Sequence, residues 1–301
     1  MTEPYYSFNS FLRGRFNRQK VRKIPINAGF SCPNKDGKSS KDGCIFCDAY
    51  GAGAIENFDL SIPEQIEIYI EKHPGCKYIA YFQAHSNTYA PVAELQRKYE
   101  IIFNYKDIVG LFIGTRPDCI AAEVYPLLER LHKRTFLAIE LGLQSSHPRS
   151  LVYLNRNHTY RQFLETFNKL KKLGINVIVH LIIGIPGESK EDMLETVKEM
   201  NRLKPAGIKF HLLHILEGTT LREEYNKKKF KLLEMAEYID LVILLLEKLH
   251  PGIVIHRLTG ERERQIFFAP AWAAAKMNVI NAIKLKMKEQ NTYQGRLYDP
   301  A

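Results

Sequence analysis

Between residues 21 and 216 short apolar runs alternate with longer amphipathic stretches, and this rhythm constrains the fold more than any other feature of the chain. The runs at 21–28, 77–82, 109–113, 136–141, 175–183 and 208–215 are rich in β-branched and aromatic residues. Short, nearly continuous apolar segments of this kind are what strands buried on both faces look like. The stretches between them, at 63–72, 92–104, 120–133, 160–173 and 190–203, have helical length and period. Their ends carry helix punctuation: Ser61 ahead of Pro63 and Glu64, Ser189 ahead of Glu191 and Asp192, and Gly174 as a stop. Six strands alternating with helices imply an α/β fold with a parallel sheet and right-handed crossovers. A partial barrel, a full barrel and an open doubly wound sheet all satisfy the pattern.

After residue 217 the rhythm changes. A long apolar helix is expected over 232–249, one more strand over 253–257, and a basic amphipathic helix over 271–290. The expected organisation is an N-terminal basic and aromatic extension (1–20), a core (21–218) and a mainly helical C-terminal extension (219–301) packed on that core. No run approaches the ~18–20 uninterrupted apolar residues of a membrane span. Residues 1–10 lack the basic start and apolar stretch of a secretory signal, so a cytoplasmic location is expected.

The formal net charge of +10 favours anionic partners. Arg13, Arg15, Arg18, Lys20, Arg22 and Lys23 form one basic segment, interleaved with Phe8, Phe11 and Phe16. Lys227, Lys228, Lys229 and Lys231 form a second, and Lys276, Lys284, Lys286 and Lys288 a third. The interleaved aromatics suit base stacking and suit packing onto a core equally well.

Three of the five cysteines, Cys32, Cys44 and Cys47, crowd into one loop directly after the first expected strand, spaced C-x11-C-x2-C. Such crowding argues for metal ligation rather than disulfides. Cys76 and Cys119 border apolar segments and read as buried structural thiols. Structural zinc usually takes four protein ligands, and a ferredoxin-type cubane takes four cysteines. The loop alone leaves open both an iron–sulfur cluster with one vacant iron and a zinc site completed by Cys76 or His73.

Segments further along resemble motifs of the radical S-adenosylmethionine (SAM) superfamily, in that family's order. Phe46 stands at the aromatic position before the last cysteine. Gln83-Ala84-His85-Ser86-Asn87-Thr88 follows the second strand, where most members carry a Gly-Gly-Glu type turn. Gly114-Thr115-Arg116-Pro117-Asp118 is similar to a signature of elongator-type tRNA radical SAM domains, with Gly114 in place of Glu. Glu140-Leu141-Gly142-Leu143-Gln144 resembles a segment of oxygen-independent coproporphyrinogen oxidase, with Asn155-Arg156 beyond it. His180-Leu181-Ile182-Ile183-Gly184-Ile185 resembles the fifth-strand segment that flanks adenine. The two ends of the chain, including Arg257-Leu258-Thr259-Gly260, are similar to the bacterial YhcC/YtqA subfamily, whose Bacillus-type members (MnmL) are implicated in modifying the tRNA wobble uridine.

The resemblance implies a six-strand partial TIM-like barrel, with Cys32, Cys44 and Cys47 holding a [4Fe-4S] cluster whose open iron binds SAM. Reductive cleavage of SAM would then yield a 5′-deoxyadenosyl radical. Gln83 or Thr88 would meet the SAM amino group, Gln144 the ribose, Arg156 the carboxylate and Ile185 the adenine, with Phe46, Thr115 and His180 also in the cofactor site. His85, Tyr89 and His214 are candidate substrate contacts. The implied substrate is a 5-substituted wobble uridine of tRNA, such as its carboxymethylaminomethyl form. The basic N-terminal segment and the last helix would touch phosphates, and the implied reductant is a flavodoxin or ferredoxin. A peptide or small-molecule substrate, and a non-catalytic zinc-stabilised nucleic-acid-binding module, are the competing readings.

Overall fold

The computed structural model describes residues 3–48, 51, 59–228, 230–260 and 265–300. Each expected apolar run forms a strand: β1 (Val21–Ile26), β2 (Lys77–Phe82), β3 (Ile108–Thr115), β4 (Phe136–Gln144), β5 (Asn176–Ile183) and β6 (Gly207–Leu212). They pair in parallel and in sequence order, bent into a half-barrel. The expected six-strand sheet has seven strands, because Val254–Arg257 (β8) joins the far edge beside β6. The run expected at 208–215 divides. Its end, Ile215–Leu216 (β7), leaves the barrel and pairs antiparallel with Phe267–Ala269 (β9).

The crossover helices are α2 (Ile62–Lys72), α3 (Val92–Glu100), α4 (Val124–Arg134), α6 (Tyr160–Lys172) and α7 (Lys190–Leu203), with a short α5 (Pro148–Tyr153) after β4. Local chemistry sets their ends. Ser61, Thr159 and Ser189 each accept a backbone N–H while the residue three on bonds back, closing three capping boxes. Gly174, at φ +73°, ends α6 in the left-handed conformation that only glycine adopts without strain. The C-terminal part contributes α8 (Thr220–Lys228), α9 (Met235–Lys248) and α10 (Lys276–Glu289). The basic helix expected from 271 begins at 276, after a single 3₁₀ turn at Ala271–Ala274 that follows Pro270.

Strand side chains alternate between the two faces of the sheet. The outer face, with Ile24, Tyr78, Leu111, Ile139, Val179 and Phe210, packs under the helices in one continuous core. The N-terminal ends of the strands are closed by α1 (Phe8–Arg15). Leu12 packs on Ile79, Phe112, Ala138 and Ile178, joined by Phe8, Phe11 and Phe16. The aromatics of the basic N-terminal segment are therefore a barrel plug rather than a surface for stacking bases. The opposite end, at the strands' C-termini, is open, and this is where parallel barrels place their chemistry.

Candidate active site

The cysteine loop leaves β1 at that open end. Cys44 is buried, and Cys32 and Cys47 are partly exposed. A small apolar cluster of Ile45, Leu154, Ile182, Ile185, Leu213 and Ile215 anchors the loop from below, with Phe46 packed against it. Asn34, fully buried, ties the loop to β4's exit by donating to the carbonyl of Asn155 at 2.7 Å, and it lies 3.5 Å from the Cys44 Sγ. The loop and the strand ends enclose a chamber of about 130 Å³ lined by all three cysteines, Phe46, Gln83, Thr115, Gln144, Arg156 and His180. Of the other expected positions, His85 also lines this chamber, His214 lines an adjoining one, and Tyr89 lines neither.

Thr88 and Ile185 stand apart from both chambers. The Thr88 hydroxyl is buried against Thr115 Oγ1 at 2.6 Å and donates to the Cys119 carbonyl at 2.7 Å, bracing the wall from behind. Ile185 lies in the apolar anchor under the loop. Cys76 and His73 precede β2, and the pairing of Val21 with Lys77 sets them at the start of β1. The cysteine loop follows the end of β1, roughly 20 Å away at ~3.3 Å per residue. Neither residue can be a fourth ligand.

Two arginines give the chamber its electrostatics. Arg156 is buried and donates to the Cys44 Sγ at 3.3 Å and to the Gly142 carbonyl at 2.8 Å. Gly142 leaves them room, because a Cβ there would lie 3.0 Å from Gln144 Nε2 and 3.1 Å from Arg156 Nη2, and both side chains would have to shift. Arg116 is held by both oxygens of Asp118 and donates to the Arg156 carbonyl at 2.6 Å, while its Nη1 is buried with no hydrogen-bond partner. A hydrogen bond from Cys47, outweighing burial and aided by Arg156 and Arg116, holds the Cys44 thiol well below its ordinary range. The donor set therefore fits an anionic metal cluster: three thiols, two buried guanidinium groups beside them and an unmet donor. Gln144 sits where the register of β4 with β5 shifts, at φ +78°, and lines both chambers. Side chains held in the left-handed region cost energy and concentrate at functional sites.

One group central to the barrel had only a place in a motif at the level of sequence. Glu140, on β4, is fully buried and bridges Lys23 at 2.8 Å on one oxygen, and His180 at 2.9 Å and Lys209 on the other. Burial pushes this carboxyl up, but Lys209, Lys23 and the His180 bond together hold it well below the usual carboxylate range. Burial, and next the Lys209 charge, lowers His180 to about 4, so it is neutral at pH 7 and donates from Nε2. Lys23, counted with the basic N-terminal segment, thus belongs to the barrel interior. Gly114, where the resembling signature has Glu, is the register partner of Glu140, and a Cβ there would come 3.3 Å from the Phe82 carbonyl. The carboxylate stands one strand over.

The family profile described as Radical SAM superfamily matches residues 32–200, and the one described as Radical_SAM C-terminal domain matches 205–289. The chain belongs to the radical SAM superfamily. Members of the superfamily are enzymes that use a [4Fe-4S] cluster and SAM, which removes the non-catalytic zinc module from consideration. Uncharacterized protein YtqA of Bacillus subtilis is 40% identical over 98% of this chain and 92% of its own length. YhcC of Escherichia coli is 33% identical over 84% of this chain and 83% of its own. A tRNA uridine(34) acetyltransferase of Methanocaldococcus jannaschii is 30% identical over 44% of this chain and 25% of its own length. Among solved structures, the N-terminally deleted Elp3 of Methanocaldococcus infernus superposes with a TM-score of 0.67 at 21% identity, covering 92% of this chain and 64% of that one. That likeness speaks for the radical SAM fold.

No helix among the described residues is long and apolar enough to cross a membrane. Of the basic segments, Arg13, Arg15, Arg18 and Lys20 are exposed and have no acidic partner among the described residues. In α10, Lys284 pairs with Glu3 and Lys286 with Asp240, leaving Lys288 exposed. In the second basic segment, Lys229 and the Lys228 side chain lie outside the description.

Proposed function

We propose that Cys32, Cys44 and Cys47 hold the cluster, and that the enzyme modifies tRNA at a 5-substituted wobble uridine such as the carboxymethylaminomethyl form. The observation that carries the first part is the chamber itself, with three thiols beside Arg156 and Arg116 and no fourth Cys or His lining it from another element except His85 and His180. His180 is committed to Glu140. When bound, the cluster and SAM supply reductive cleavage of SAM and hydrogen abstraction from the substrate. The chain's own groups position and exclude. Arg156 offers a guanidinium to the SAM carboxylate, Gln144 offers its amide to the ribose, and Gln83 is the polar side chain left for the amino group. Phe46 and the apolar anchor beneath it keep water from the mouth of the loop.

Support for tRNA is of two kinds. Relatives include a tRNA uridine(34) acetyltransferase by name. The exposed cations of the N-terminal segment lie at the plugged end, about the length of β4 from the mouth, or roughly 30 Å at ~3.3 Å per residue. A nucleic-acid stem can bridge that distance, whereas a small substrate cannot. The test is mass spectrometry of tRNA nucleosides from cells with and without this protein, where loss should accumulate the unprocessed uridine. An unchanged nucleoside profile turns the reading to a peptide or small molecule. Binding to tRNA should weaken steeply with salt, and the triple change Arg13→Gln, Arg15→Gln, Arg18→Gln should reduce the log–log salt slope by about 2–3.

A further inference from the structure

Behind the cysteine chamber lies a second one, of about 140 Å³, which shares Phe46, Cys47, Gln144 and His180 with the first. Its far wall is made by His211 of β6 and Arg257, the last residue of β8. Arg257 also borders the opening between β8 and β1, the two edge strands that the half-barrel does not join.

Arg257 is half-buried and makes no hydrogen bond or ion pair among the described residues. The carboxylate in reach of this interior, Glu140, has both oxygens occupied by Lys23, Lys209 and His180. The His211 Nε2 is likewise buried with no hydrogen-bond partner. Among the described residues, three cations, Lys23, Lys209 and Arg257, thus face one carboxylate. Burial chiefly disfavours protonation of Lys23, Lys209, His180 and His211, and the Arg257 charge adds to it. The Arg257 guanidinium, only half-buried, is free to meet a ligand in this chamber, and a carboxylate is the group whose geometry matches its fork.

We propose that this second chamber is an oxyanion subsite, in which Arg257 with His211 receives a carboxylate carried by the substrate. One uncommitted cation matches a monoanion, since Lys23 and Lys209 are already engaged. The assignment rests on the proposed reading for its substrate, because a carboxymethylaminomethyl uridine carries such a group. Its substituent would enter past Gln144 with the base left at the mouth.

The experiment is arginine-selective labelling of the reconstituted holoenzyme with phenylglyoxal, read residue by residue by mass spectrometry. Arg257 should react, and acetate should slow its labelling by at least about fivefold while acetamide does not. Arg257 inert without ligand, or protected equally by acetamide, overturns the subsite whatever the substrate is. Protection by inorganic phosphate equal to that by acetate overturns the carboxylate in favour of a phosphate group. In a second arm, 5-carboxymethylaminomethyluridine should bind at least about tenfold tighter than 5-aminomethyluridine. Arg257→Gln should abolish that preference and Arg257→Lys should keep part of it, with SAM affinity unchanged in both. A preference that survives Arg257→Gln in a folded protein also overturns the proposal. Acetate protection combined with no preference between the nucleosides leaves the subsite standing and removes the uridine reading instead.

Discussion

The two faces of the barrel sheet are built from the same strands and have opposite chemistry. Leu141 and its neighbour Glu140 show it within two residues. Leu141 turns outward into the helix-covered core, and Glu140 turns inward to three nitrogen partners, both without solvent exposure. The outer face holds the fold together by apolar burial, whose contributions are interchangeable in kind. The inner face holds charges in low dielectric, where each group depends on a named partner. Stability is therefore spread over the outside and selectivity concentrated inside, and substitutions on the two faces should fail differently.

The largest effect is expected at the mouth of the inner face. Cys44→Ala should reduce iron–sulfur absorbance and 5′-deoxyadenosine formation to background while leaving the circular dichroism spectrum of the fold unchanged. A variant that kept its absorbance would remove Cys44 from the ligand set.

Glu140→Gln comes next, at about 3–5 kcal/mol of lost stability in denaturant unfolding, because Lys23 and Lys209 are left as buried unpaired charges. Adding Lys209→Met should recover part of that loss. Leu141→Ala should cost about 2–5 kcal/mol by leaving a cavity, yet turn over normally per folded molecule. Equal turnover defects in Glu140→Gln and Leu141→Ala would break the distinction between the faces.

Acid sensitivity should also belong to the inner face. His180 titrates near 4 in the folded protein against an ordinary 6.5, so the unfolded chain binds the proton first as pH falls. Its contribution to stability is present above pH 6.5 and is lost on descent to pH 4, a change on the order of 2–3 kcal/mol. Glu140, also depressed, extends the loss to lower pH. The pH dependence of the melting temperature should flatten between 6.5 and 4 in His180→Gln, and an unaltered slope would contradict it. The smallest effect is expected far from either chamber. Ser189→Ala removes the cap of α7 and should cost about 1 kcal/mol without touching SAM binding.

Much of this was legible before any coordinates. The six apolar runs became strands, the caps at Ser61 and Ser189 closed where polar residues preceded helical patterns, and the cysteine spacing marked the open end. The inner network was illegible for a specific reason. In a parallel strand the apolar run continues over both faces, so one acid among FLAIELGLQ, or Lys23 after a row of surface cations, carries no sign of which way it points. The placement of the Thr88 and Ile185 side chains was illegible for a related reason: motif order says which strand end a residue occupies, not whether its side chain lines the chamber or packs behind its wall. The seventh strand was visible as a run, but its partner was not, because β8 is separated from β6 by two helices.

The sequence by itself determined the α/β alternation, the three-thiol loop after the first strand and its place in the radical SAM superfamily. The first two are properties of local periodicity and spacing, and the third rests on the resemblance of its motifs to those of the family. Tertiary structure alone decided that α1 plugs one end, that Arg116 and Arg156 converge on Cys44, and that Arg257 faces a second chamber with no acid paired to it among the described residues. Charge pairing is a matter of distance and dielectric, and both exist only once strands far apart in the chain have closed around a common interior.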